Sequence, residues 1–177
     1  MSRVLLITST LALAAAGPAA TAQMIYAGTQ EIGLSGLIDF DTPAGTLIHL
    51  SAVYGFFVAD GMELGGSAGM TDDDHHTVWR AAGIFEYDYD LGMELVPYLG
   101  ARVGAAKYEI KATNTRRRRD DFALLLGGVA GIKYFIAEHI ALDIALNLEW
   151  ASDDIYPSHG GFENTDARIS LGLRFFF

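Results

Sequence analysis

Beyond its first thirty residues, this chain alternates apolar and polar side chains with a period of two, segment after segment, up to the C-terminal Phe177. That period is the mark of a β-strand with two unlike faces. The longest uncharged apolar run after the leader, Phe122 to Ile132, stops at Lys133, well short of the roughly twenty residues that a membrane-spanning helix needs. Yet 51% of the residues are hydrophobic and the mean hydropathy is +0.24. A chain this apolar without membrane helices can satisfy its backbone in lipid in one way, as a closed barrel. The reading is therefore all-β: a transmembrane antiparallel up-and-down β-barrel of about eight strands.

The spacing predicts strands over Glu31 to Phe40, Thr46 to Val58, Met62 to Met70, Val78 to Tyr89, Leu95 to Glu109, Phe122 to Ile136, Ile140 to Trp150 and Ala167 to Phe177. In the first, Ile32, Leu34, Ile38 and Phe40 oppose Glu31, Gly33, Ser35 and Asp39; in the last, Ile169, Leu171, Leu173, Phe175 and Phe177 oppose Arg168, Ser170, Gly172 and Arg174. The phase falters near Lys107-Tyr108, where a bulge or an early exit is expected. Residues 140 to 150 are rich in helix formers, but only a strand places Ile140, Leu142, Ile144, Leu146, Leu148 and Trp150 on one face and leaves no polar exception.

Short turns at Ala59-Asp60-Gly61, Asp90 to Glu94 and Ala137-Glu138 alternate with more polar connections at Asp41 to Gly45, Thr71 to Thr77, Lys111 to Asp120 and Ser152 to Asn164. The short set is expected in the periplasm and the long set outside. Aromatic residues then sort to two rims: Phe40, Trp79, Phe122 and Trp150 at one, and Tyr54, Phe56, Phe85, Tyr87, Tyr89, Tyr134, Phe175 and Phe177 at the other. The rival is a soluble lipocalin-like barrel with its apolar face inward. The Gly- and Ala-rich polar face, suited to a narrow lumen, and the unequal loops favour the membrane arrangement.

The N-terminus reads as a signal peptide over residues 1–22: Arg3, the apolar stretch Val4 to Ala16, and an Ala20-Thr21-Ala22 cleavage site before Gln23. The barrel domain then spans 23–177. With no cysteine, neither a lipid anchor nor a disulfide is available. A transmembrane barrel exported with a cleaved signal is expected in the outer membrane of a Gram-negative bacterium.

At the C-terminus, Ser170, Gly172, Phe175 and Phe177 match the assembly signal of the outer-membrane β-barrel family: a polar residue, a glycine, then spaced hydrophobics ending in an aromatic. The mature chain resembles the small OmpA/OmpX-like barrel domains throughout, including Val96-Pro97-Tyr98-Leu99-Gly100 and Lys133-Tyr134-Phe135. The resemblance implies recognition by the barrel-assembly machinery through the last strand, and outer-membrane lipids and lipopolysaccharide as surroundings. With no segment after Phe177, the peptidoglycan-binding half of some relatives is not expected.

Turning the small-residue face inward places Glu31, Asp39, Glu63, Glu86, Asp88, Asp143 and Glu149 in the lumen with Arg80, Arg102, Lys107, Lys133, Arg168 and Arg174. An eight-stranded barrel is just wide enough for side chains to fill, so an ionic plug is expected more than a narrow porin-like channel. Arg102 and Arg174 are the preferred structural positions. A structural, envelope-integrity or surface-interaction role through the loops follows.

Arg116, Arg117, Arg118 and Arg119 on an outer loop suit lipopolysaccharide phosphates or an acidic glycan, against the plainer reading of a solvated charge run. Asp73, His75 and His76 offer metal-ligand types at a spacing that fits no fixed motif. Neither a metal nor another cofactor is expected, and no nucleic-acid partner. Ser158 beside His159 does not make a catalytic dyad, so a lipid A-modifying enzyme is, with the soluble lipocalin-like barrel, among the less favoured readings.

Overall fold

The computed structural model describes residues 25–42, 45–72, 76–110, 119–158 and 161–177. The described residues form ten strands: β1 (Gln30–Thr42), β2 (Gly45–Ala59), β3 (Met62–Asp72), β4 (His76–Asp88), β5 (Leu95–Ile110), β6 (Arg119–Ala137), β7 (Ile140–Ala151), β8 (Tyr156–Ser158), β9 (Gly161–Glu163) and β10 (Thr165–Phe176). Eight of them close antiparallel into a barrel in the order β1-β10-β7-β6-β5-β4-β3-β2. The ring is sealed where β1 pairs with β10, from Glu31↔Phe176 to Gly36↔Leu171. Barrel strands of 11 to 19 residues exceed the roughly 9–11 that a tilted strand needs to cross a bilayer.

The pleat is inside out relative to a soluble barrel. On β6, Leu124 is 68% exposed while its neighbours Ala123 and Leu125 are 2% and 4% exposed. Leu34, Leu50, Leu99, Ile144, Leu148 and Leu171 are likewise exposed, whereas Glu31, Glu63, Glu86 and Lys133 are fully buried. An apolar exterior around a charged interior suits lipid and excludes the lipocalin-like arrangement. The 140–150 segment is β7 of this wall, with Ala141, Asp143, Ala145 and Asn147 inward.

The strands reach further toward the loop end than their sequence patterns predict; Arg119 begins β6 and Thr42 pairs with Gly45. The last long connection contains the β8–β9 hairpin, which the alternation did not reveal because each strand has three residues.

The expected irregularity at Lys107-Tyr108 is absent: β5 keeps register there, with Trp79↔Lys107 and Lys107↔Phe122. Lys107 therefore lies on the outward face, in line with Val103 and Ala105, and not in the lumen. It pairs with Glu109, two residues on, at 2.7 Å. Flanked by exposed Trp79 and Phe122, the pair sits at an aromatic rim, where a lysine stem lies on apolar surface and its charge reaches polar surroundings. Register shifts occur instead at Asp39/Thr42, Phe57/Ala59 and Phe135/Ala137, each beside a connection between strands.

Candidate functional site

The lumen is stacked in layers. At the turn end Ile25, Phe57, Val96, Phe135, Ala141 and Phe176 form a buried apolar cluster, with the Phe135 and Phe176 rings 4.9 Å apart. The segment before β1 straps this cap on: Gly61 N donates to Ile25 O at 2.7 Å and Gly28 N to Phe57 O at 2.8 Å.

Above it lies an ionic cluster built from six strands. Lys133 Nζ on β6 donates to Glu31 Oε2 at 2.7 Å, Asp88 Oδ2 at 2.8 Å and Glu63 Oε2 at 3.4 Å, with Glu86 Oε2 at 3.8 Å. The same ammonium lies 5.0 Å from the centre of the Tyr98 ring, a cation–π contact. Arg174 on β10 bonds Glu31 through Nη1, Asp143 Oδ2 through Nε at 3.1 Å and the Tyr98 hydroxyl through Nη2 at 3.2 Å. Tyr98 passes the chain on by donating to Asp143 Oδ1 at 2.9 Å. Five carboxylates thus surround two cations, and among the described residues Glu86 finds no hydrogen-bond partner for either oxygen.

The oxygens of Glu31, Glu63 and Glu86 come within 4.8 Å of one another, a donor set of metal-ligand type. The Lys133 ammonium already serves those same groups as their cation.

A second ionic layer lies nearer the loop end. Arg80 Nε donates to Glu149 Oε1 at 3.1 Å and Arg80 Nη1 to Thr71 Oγ1 at 2.6 Å, while Arg168 pairs with Asp166 at 2.8 Å and Glu149 at 3.6 Å. Val78, Ala106, Ala123, Leu125 and Ala151 then meet Ile155 and Tyr156 of the last connection in a second apolar cluster. The Tyr156 hydroxyl donates down to Glu149, and its ring lies 5.6 Å from the Arg80 guanidinium. Burial and that hydrogen bond push the Tyr156 phenol well above its ordinary range, which keeps it a donor.

A closed eight-stranded wall, apolar outside and ionic within, is an architecture that can be compared with known proteins. The profile of the family described as the outer membrane protein beta-barrel domain matches residues 4–175. The chain belongs to this family, and it is a protein of the Gram-negative outer membrane.

Solved structures share the fold at low identity. Neisserial surface protein A (NspA) superposes with a TM-score of 0.61 at 15% identity, over 84% of this chain and 96% of that one. The N-terminal β-barrel domain of Pseudomonas aeruginosa OprF gives 0.58 at 22%, over 85% and 98%. Ail, the attachment invasion locus protein of Yersinia pestis, gives 0.51 at 13%, over 85% and 99%. No curated sequence matches the chain.

Within this family barrel, the residues singled out from sequence fall in three groups. Glu31, Glu63, Glu86, Asp88, Lys133, Asp143 and Arg174 meet in one cluster, Arg80, Glu149 and Arg168 meet in the other, and Arg102 lies between them, 3.7 Å from Glu86. At the C-terminus, Ser170 accepts from Asn147 Nδ2 at 2.9 Å inside the lumen, Phe175 is half-buried and Phe177 is exposed on the outward face. Gly172 is required by close packing, since a Cβ there would lie 2.6 Å from the Leu34 carbonyl oxygen. The Asp39, Asp73, His75, His76 and Arg116 to Arg119 side chains lie outside the described residues, as does His159.

Sequence reasoning passed over Tyr98, which ties Arg174 to Asp143. The signal was present: Gly131 stands directly across from it, and a Cβ there would fall 2.5 Å from the Tyr98 ring. Tyr98→Phe keeps the ring over Gly131 and removes two hydrogen bonds, so it is expected to destabilise the barrel by about 1–3 kcal/mol, read from urea unfolding in lipid vesicles.

Proposed function

We propose that this protein is a non-enzymatic barrel of the outer membrane that acts through its loop end and outer surface, with its lumen serving as a closed ionic core. The short turns then face the periplasm and the long connections the exterior, in keeping with the two aromatic rims. The observation that carries this reading is the double closure. An apolar cluster fills each end of the lumen and two ionic layers lie between, a filling suited to stabilising a wall rather than to passing solute. Single-channel recording of the refolded mature chain in planar bilayers tests it: no stable unitary conductance is expected. Steady conductance events would replace this reading with the narrow-channel alternative.

The same proposal gives Phe177 an assembly role, because its ring points outward and takes no part in the base cap that Phe176 completes. Phe177→Ala is expected to lower the amount of heat-modifiable barrel in isolated outer membranes severalfold, while refolding of the purified variant in detergent proceeds as for wild type. Equal membrane levels would remove the assembly role. Arg116 to Arg119 remain the loop residues proposed to meet anionic partners, with lipopolysaccharide binding by the four-serine variant as the comparison.

A further inference from the structure

Between the two ionic layers the lumen holds a cavity of about 40 Å³, lined by residues of all eight barrel strands. We propose that this cavity binds a small inorganic anion of the size of chloride, held by Arg102 and the surrounding serine hydroxyls. The guanidiniums of Arg80, Arg102, Arg168 and Arg174 line it against the carboxylates of Asp143 and Glu149. Three of those cations are spoken for: Arg80 by Glu149, Arg168 by Asp166 and Glu149, and Arg174 by Glu31 and Asp143.

Arg102 is different. Among the described residues it makes no hydrogen bond, and its Nε is buried without a partner. Its nearest carboxylate, Glu86, is 3.7 Å from Nη2, beyond hydrogen-bond reach, and that carboxylate also faces Lys133 and Arg174. The Arg102 side chain is 20% exposed, so its guanidinium keeps open room beside it, while its Nε–H is buried with no partner; an anion in the adjoining cavity would satisfy that donor.

Ser35, Ser51 and Ser67 supply hydroxyl donors around the same space. The volume sets the class of ligand. One water needs about 10–15 Å³ of such space, so the cavity admits a chloride with one or two waters and excludes a polyhydroxy carboxylate such as gluconate.

The inference does not depend on whether the lumen conducts, and its test reads stability alone. The mature chain is refolded from urea into non-ionic detergent in chloride or in gluconate at one ionic strength, which lets the anion enter before the lumen closes. The temperature at which the compact gel band is lost is then measured. A ligand held only by the folded state raises that temperature, so wild type is expected to be more heat-resistant in chloride.

Arg102→Met removes the cation, Ser67→Val fills the space without changing charge, and each is expected to abolish the difference between chloride and gluconate. The Arg116 to Arg119 four-serine variant is expected to retain it. Absence of the difference in wild type, its survival in either lumen variant, or its loss in the loop variant would overturn the site. If Arg102→Met does not fold, Ser67→Val decides.

Discussion

Lys133→Met is expected to destabilise the barrel by at least about 3–5 kcal/mol, the usual cost of removing one partner from a buried ionic group. The cost falls at the upper end because one ammonium serves Glu31, Glu63 and Asp88 together, all fully or nearly fully buried. Its removal leaves five carboxylates facing Arg174 alone within that cluster, with Arg102 at 3.7 Å from one of them. Glu63→Gln is the informative contrast. Five carboxylates around two cations are an excess, and Glu63 contributes the longest of the three ammonium hydrogen bonds, 3.4 Å, while its other oxygen has no partner. Neutralising it should change stability by no more than about 1 kcal/mol. Urea unfolding in lipid vesicles, followed by tryptophan fluorescence, gives both values, and equal losses in the two variants would show that charge balance does not govern this cluster.

Gly104→Val is expected to prevent closure, or to cost more than the roughly 1–3 kcal/mol of ordinary overpacking. A Cβ at Gly104 would sit 2.1 Å from the Ala81 carbonyl oxygen and 2.6 Å from the Ala82 Cα, both backbone atoms of the paired strand, so no side-chain rotation relieves the clash. Gly83→Val is the matched control. Its Cβ would point outward with nothing nearer than 3.8 Å, and a β-branched residue suits an exposed strand position. The refolded fraction, read as the heat-modifiable band, should collapse for Gly104→Val and remain near wild type for Gly83→Val. If the two behave alike, the inward approach of β4 to β5 is not what glycine serves at 104.

These pairs of variants mark the boundary between pattern and structure. Gly83 and Gly104 look alike in composition, and parity on their strands tells which faces inward. It does not tell how near the neighbouring backbone comes. Lys107 shows the reverse error: its charge alone argues for the lumen, and unbroken pairing of β5 with β4 and β6 places it on the outer face at an aromatic rim, where its neighbour Glu109 balances it.

Tyr156 and Ile155 show another kind of gap. They lie in a connection read as polar, yet they fold back to complete the apolar cluster at the barrel mouth. No period could announce this, because a three-residue strand is too short to have one.

The number of barrel strands, their approximate limits and the faces they turn to lipid were determined by the sequence alone. The reason is that lipid imposes the same demand at every outward position, so the signal repeats along each strand and needs no knowledge of its neighbours. Which charge meets which was decided only by the tertiary structure. Parity sends Lys133 and Glu31 to the lumen, but their contact joins residues 102 positions apart and depends on the height at which each strand enters the barrel. That height is set by the register of all eight strands once the ring closes, a collective quantity that no single segment carries.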